Sequence, residues 1–275
     1  MKLNKAIGCI AITFFAFILF FVTGCRSMGT NISESKNKIV RENVKESYVP
    51  NLAKDVKIYN RVYNNKDNTN LEQRKYGYKN GDKYLKQYNK INAFKKIVLV
   101  EQTKEVASEG TLFLLIKNES GVWQEILRCK ANLGKNGIDK TREGDARTPT
   151  GEYGFLMAFG AKENPGSLIP YTKLTDTMYL CGDKEYYNQF IDVSKVDHHC
   201  SDNSEHLIRY IPQYNYGLFI DYNKEGVFRK GSAIFLHCFG NYPYTMGCVS
   251  VAEENMVKIL RTVDSNSRIC IYQSS

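Results

Sequence analysis

Ile234-Phe-Leu-His237-Cys238-Phe-Gly-Asn-Tyr-Pro-Tyr-Thr245-Met246-Gly247-Cys248-Val-Ser250 is the stretch from which the rest of the chain can be read. It begins as an apolar, β-branched and aromatic run, a strand signal, and ends that run on a histidine. A turn-rich loop follows, then a Gly-Cys pair, and Cys248 lies eleven positions after His237. A loop of that length can fold back and bring thiol and imidazole together. A cysteine nucleophile needs such a partner, because the thiolate is the reactive form and a free thiol titrates near ~8.5. The pattern points to a cysteine enzyme of acyl transfer, with Cys248 as nucleophile and His237 as base.

Downstream, Met256, Ile259, Leu260 and Val263 recur at i, i+3, i+4 and i+7, one apolar stripe of a helix. Ser250 and Glu253 have the S-x-x-E spacing of a capping box. With Ser250 as N-cap, Cys248 would sit beside free amides and the positive end of the helix dipole, which favours a thiolate and a developing oxyanion.

Around these residues, short strand signals alternate with turns: Lys96–Glu101, Thr111–Lys117, Trp123–Cys129, Tyr153–Phe159, Tyr216–Tyr222 and Ser232–Leu236 before them and Arg268–Tyr272 after. Asn118-Glu-Ser-Gly121 between the second and third reads as a hairpin turn. Many short strands and one late helix predict a mainly β sandwich or barrel over residues 93–275, long enough for a core of its own.

The N-terminal part is different in kind. Lys2 and Lys5 precede an uncharged, apolar run from Ala6 to Gly24, the layout of an export signal. Val22-Thr23-Gly24-Cys25 resembles the lipobox of bacterial lipoproteins, which implies cleavage after residue 24 and lipid on Cys25. The competing reading is an uncleaved anchor, since the apolar run nearly reaches the ~20 residues that span a bilayer. Either way residues 25–275 are expected outside the cytoplasm, anchored to the cell membrane and facing the cell wall. Residues 25–92, rich in Lys, Asn, Glu and Tyr, read as a polar tether with a root-mean-square reach of roughly 45 Å if flexible.

Loss of residues 1–24 would remove Lys2 and Lys5 and no acids, taking the net charge from +9 to +7. A basic exported chain is drawn to anionic envelope polymers. No basic cluster interleaved with aromatics suggests nucleic acid, and a monomer is expected. Six cysteines remain after Cys9 and Cys25 are set aside, with no C-x-x-C pair and no dense disulfide framework. One or two disulfides are compatible with the compartment.

Two motifs in order carry a family resemblance. The His237…Thr245-x-Gly247-Cys248 arrangement resembles the L,D-transpeptidase catalytic domain family of bacterial cell-wall enzymes. Lys140-Thr-Arg-Glu-Gly144-Asp145-Ala-Arg-Thr148-Pro149-Thr150-Gly151-Glu-Tyr resembles that family's upstream Gly-x-x-x-Thr-Pro-x-Gly segment. The resemblance implies a β-sandwich whose loops form a groove for peptidoglycan stem peptides, with no metal or cofactor. It makes Cys248 the nucleophile and His237 the base. Thr245 and Gly247 fill the motif's small positions, and the Cys238 carbonyl orients the imidazole. Thr148 and Gly151 become candidates for the groove. His206, in Glu205-His206-Leu207, is a further groove candidate, and Tyr171, Tyr179, Tyr186 and Tyr187 are candidates for a substrate lid.

The sequence departs from the family at Met246, where many members carry a second histidine, at Ser250, and in its short His-to-Cys interval. These differences bear on the acyl acceptor. An amine acceptor gives a transpeptidase, water gives an L,D-carboxypeptidase or stem hydrolase, and a non-catalytic wall-binding lipoprotein is the third alternative. Asp197-His198-His199-Cys200 spells a palmitoyltransferase signature without the membrane helices or cysteine-rich domain that accompany it. His198, His199, Cys200 and His206 have ligand types suited to zinc, but adjacent histidines do not readily face one ion, so no metal is expected.

Overall fold

A computed structural model describes residue 85, residues 94–103 and residues 105–274. The export signal, Cys25 and all of the tether but Leu85 lie outside the described residues. Leu85 is buried in a cluster with Ile97, Leu99 and Trp123, which a wholly solvated tether would not do. Among the described residues thirteen strands and a ten-residue α-helix follow in chain order. β1 (Lys96–Gln102), β2 (Glu109–Lys117) and β3 (Trp123–Asn132) form an antiparallel meander. At the β2–β3 turn Asn118 accepts from Val122 N–H through Oδ1 and Gly121 takes φ 78°, so this hairpin is where the Asn and Gly signals placed it. β4 (Gly151–Tyr153) and β5 (Phe155–Gly160) split what reads in sequence as one strand. The break falls at Gly154, whose N–H is bound by the Asp221 carboxylate at 2.8 Å.

β6 (Tyr171–Lys173), β7 (Met178–Leu180), β8 (Phe190–Asp192) and β9 (Glu205–His206) follow, then β10 (Gly217–Ile220), β11 (Phe235–Cys238) and β12 (Val249–Val251). The chain ends with α1 (Glu253–Thr262) and β13 (Arg268–Gln273). Ten strands make one sheet in the order β4-β13-β1-β2-β3-β12-β11-β10-β5-β6, and β8-β7-β9 make a second, small one. Val98 and Leu112 from one half of the large sheet share a core with Leu218 and Leu236 from the other half, and with Met256, Ile259 and Leu260 of α1. A flat sheet could not bring these strands together, so the sheet curls around the helix stripe. β1 is buried on both faces, with Ile97 and Leu99 packing outward against Trp123 and Tyr272. The fold is mainly β, as the spacing of strand signals predicts.

α1 does follow Cys248, but not at the predicted start. Its N-cap is Ala252, with no side-chain cap bond. Ser250 is instead 2% exposed, in the middle of β12. The capping-box pattern is local, whereas pairing of Ser250 with His237 on β11 and with Asn132 on β3 commits the same residue to the sheet. Cys248 therefore stands before a strand rather than at a helix terminus.

Candidate active site

The parallel pairing of β11 with β12 sets the geometry. Leu236 lies opposite Val249 and His237 opposite Ser250, which puts Cys248 level with Phe235. Because side chains alternate along a strand, Cys248, Ser250, Phe235 and His237 share one face. Cys248 and His237 are then diagonal neighbours, about 8 Å apart at Cα given ~4.8 Å between strands and ~3.3 Å per residue.

The main chain of Cys248 is held from two sides. Thr245 Oγ1 donates to the Cys248 carbonyl at 2.6 Å and Thr148 Oγ1 donates to it at 3.1 Å. Each hydroxyl also accepts, Thr245 from Gly247 N–H at 3.1 Å and Thr148 from Gly134 N–H at 2.8 Å. Gly247 takes φ 149°, in the region L side chains avoid, and a Cβ there would come within 3.1 Å of the Arg147 carbonyl. The two sequence motifs thus meet in space, with the Thr148 segment gripping the Thr245–Cys248 loop.

The Cys248 thiol donates to the Ala233 carbonyl at 3.0 Å, and its sulfur receives Phe235 N–H at 3.3 Å. Both partners precede His237 along the chain, and no hydrogen bond joins thiol and imidazole. Burial pushes the thiol up to about 12, with the charge of Glu205 adding to the effect. The helix whose terminus is expected beside the thiol starts only at Glu253, and Phe235 N–H and then Lys140 counter the shift. His237 Nδ1 donates to the Cys238 carbonyl at 2.7 Å, so its proton is fixed there and Nε2 keeps a free lone pair. Burial holds this imidazole down to about 4. At neutral pH the resting pair is a neutral thiol and a neutral base.

Sequence reasoning passed over two groups beside this pair. Tyr214 packs its ring edge-on to His237 at 5.4 Å and donates to Glu205 at 2.6 Å. Burial raises Glu205 to about 7, against the hydroxyl bond that lowers it. Lys140 and Asp145 form a buried ion pair at 2.8 Å under the Cys248 loop. Burial alone would raise Asp145, but Lys140 and the N–H groups of Arg142, Thr141 and Arg147 hold it at about 2. No spacing signature marks either group; their roles come from contacts distant in sequence.

Cys248 opens onto a cavity of about 640 Å³. One wall comes from the small sheet through Leu180, Gly182 and Glu205, and the opposite wall from Arg142–Gly144 and Arg229. Thr148, Gly151 and His206, candidates for the groove from sequence, do not line this cavity. Thr148 is fully buried behind the nucleophile, and Gly151 pairs with Ile271 at the β4 edge. His206 stacks on Tyr179 at 4.4 Å and contacts the Asp176 carbonyl at 2.7 Å. Of the proposed lid tyrosines, Tyr187 alone lines the cavity; it is buried and bonded to Glu143 rather than free to move.

The chain matches the model of the L,D-transpeptidase catalytic domain (YkuD) over residues 95–271. It belongs to that family. A search of curated proteins finds no match. Among solved structures it is similar to Mycobacterium tuberculosis L,D-transpeptidase 1, at 11% identity and a TM-score of 0.30, covering 64% of this chain and 62% of that one. The chain thus spans less than two thirds of that structure's length. The family assignment rests on the match over residues 95–271, which contains both threonine-anchored motifs.

Two outcomes follow from the geometry. Thr148→Val removes the donor to Cys248 and the acceptor for buried Gly134 N–H, so it should cost about 1–3 kcal/mol in chemical denaturation; Thr148→Ser should recover most of it. Glu205 titrates at about 7 in the fold against an ordinary 4.5. A raised carboxyl favours the protonated fold, so its stabilisation is complete below 4.5 and lost as pH rises towards about 7. Relative to Glu205→Gln, the wild-type melting temperature should fall across that window and stay level above it.

Proposed function

We propose that the protein is a peptidoglycan L,D-transpeptidase working through a thioester on Cys248. The observation that carries this reading is a thiol on a cavity floor, its peptide pinned by two threonines, on the same strand face as an imidazole whose proton is fixed on Nδ1. Rotation of the Cys248 side chain away from Ala233 directs the sulfur towards His237 Nε2. His237 accepts the thiol proton as sulfur attacks the carbonyl joining the third residue of a tetrapeptide stem to its terminal D-Ala. The tetrahedral adduct collapses, His237 returns the proton to the leaving amine, and D-Ala departs. An amine of a neighbouring stem then attacks the thioester, gives its proton to His237 and releases the crosslinked product with a free Cys248 thiol. A mixed lining of Arg142, Arg229, Glu143 and Glu205 suits a zwitterionic peptide with charged ends.

Transfer from a neutral thiol to a neutral imidazole needs no prior thiolate. The acid limb of kcat/KM then reports protonation of His237, at about 4. The N-terminal sequence supports the wall-facing location: export, lipid on Cys25 and a tether across residues 25–92 would present the catalytic domain to stem peptides.

Incubation of the protein with defined tetrapeptide muropeptides, followed by mass analysis, tests the reading. Crosslinked dimers with release of D-Ala are expected, and Cys248→Ala should abolish both while keeping its circular dichroism. Tripeptides without dimers would make the enzyme a carboxypeptidase, and unchanged substrate would refute catalysis.

A further inference from the structure

The small sheet's outer loop gathers a second set of chemically capable side chains. Cys181 directly follows β7, and the segment after β8 returns to it with His198 and Cys200. The two sulfurs and a His198 nitrogen all lie within 4.8 Å of one another, and among the described residues this is a group of three such ligands around one point. His198 Nε2 is 3.4 Å from Cys181 Sγ. Two ligands at ~2.3 Å (S) and ~2.0 Å (N) from a tetrahedral zinc ion stand about 3.5 Å apart. The Asp183 carboxylate lies 3.2 Å from the same imidazole nitrogen, against about 3.3 Å for the corresponding nitrogen–oxygen edge. His199 points to solvent and His206 is committed to Tyr179 and Asp176. Folding therefore selects one histidine of the pair and adds a cysteine nineteen residues before Cys200.

We propose that Cys181, His198 and Cys200 bind a zinc ion, with the Asp183 carboxylate, beside His198 but outside the group of three, as the candidate fourth donor. Two soft sulfurs, one imidazole and one carboxylate make a donor set that suits zinc over calcium or magnesium. Outer contacts already orient the donors. Asp183 is bonded by the N–H of Ser201 at 2.9 Å and by its hydroxyl, and the His198 ring packs on Tyr186 at 4.5 Å. Such second contacts fix ligand orientation at metal sites. Cys181 is fully buried while His198 and Cys200 are half-buried, which leaves a route for the ion to enter. Both cysteines are free thiols in this structure; binding would release their two protons and form two sulfur–zinc bonds with no change of oxidation state. A disulfide would join the same sulfurs but leave no part for the converging imidazole and carboxylate. The ion would clamp the loop whose Gly182 and Asn203 line the cavity over Cys248, a structural role separate from the acyl transfer.

The test uses the full-length chain purified in detergent, under reductant and free of metal. Added zinc should be retained in a one-to-one ratio after buffer exchange, measured by mass spectrometry of the element. Cobalt in its place should give a thiolate-to-metal absorption band in the unmutated protein, a readout that does not depend on any variant folding. Cys200→Ser and His198→Ala should lose retained metal, whereas Cys129→Ser should bind as wild type. Retention below stoichiometry, a cobalt spectrum without the thiolate band, or equal retention by Cys200→Ser would each overturn the proposal, as would a Cys181–Cys200 disulfide in protein purified without reductant.

Discussion

The carbonyl of Cys248, held by two buried threonine hydroxyls, is the constraint on which the site depends. Each threonine both donates to that carbonyl and accepts from a backbone N–H, so neither hydroxyl can be replaced by a methyl without orphaning a buried group. Through Thr148 the segment before β4 is locked to the loop before β12. Through Thr245 the loop is stitched back to the end of β3, where Thr245 N–H reaches Leu133 and Lys135 N–H reaches the Thr245 carbonyl, both at 2.8 Å. With the nucleophile's peptide immobile, the parallel register of β11 and β12 decides which side chains it can meet.

Electrostatics then separate position from activation. The thiol rests in a low-dielectric slot, bonded to the backbone at Ala233 and at the start of β11, near the buried Glu205–Tyr214 pair. Burial and the charge of Glu205 disfavour a thiolate and outweigh the Phe235 N–H and Lys140, which favour it; Lys140 is moreover paired with Asp145. Such a site protects a buried cysteine from adventitious chemistry and makes the reaction conditional on rotation towards His237. Burial gives the imidazole a matching property, since it stays neutral and proton-accepting far into the acid range.

What was legible in the sequence was what short-range physics enforces. The α1 stripe, the β1–β3 runs and the Asn118–Gly121 hairpin each follow from periodicity or turn chemistry within a few residues, and all are present. Loop length led to the expectation that Cys248 and His237 meet; the strand register that makes them diagonal neighbours was not legible, because the sequence reads Cys248 as preceding a helix. The errors are long-range. Ser250 has the spacing of a helix cap, but partners 13 and 118 residues away draw it into the sheet. The small sheet is made of strands of two or three residues, too short to show a period. Glu205 and Cys181 gain their settings only when that sheet folds over the site, so nothing next to them in sequence marks them.

The central claim is that Cys248 rests as a neutral thiol, far from the thiolate that a helix terminus would have produced. The pH dependence of its alkylation by iodoacetamide in the free protein, followed by peptide mapping at Cys248, measures this directly. The account predicts a rate that keeps rising through the alkaline range with no plateau near ~8.5, the titration of an ordinary thiol. A rate that levels off below that value, with thiolate-like reactivity at neutral pH, would contradict it.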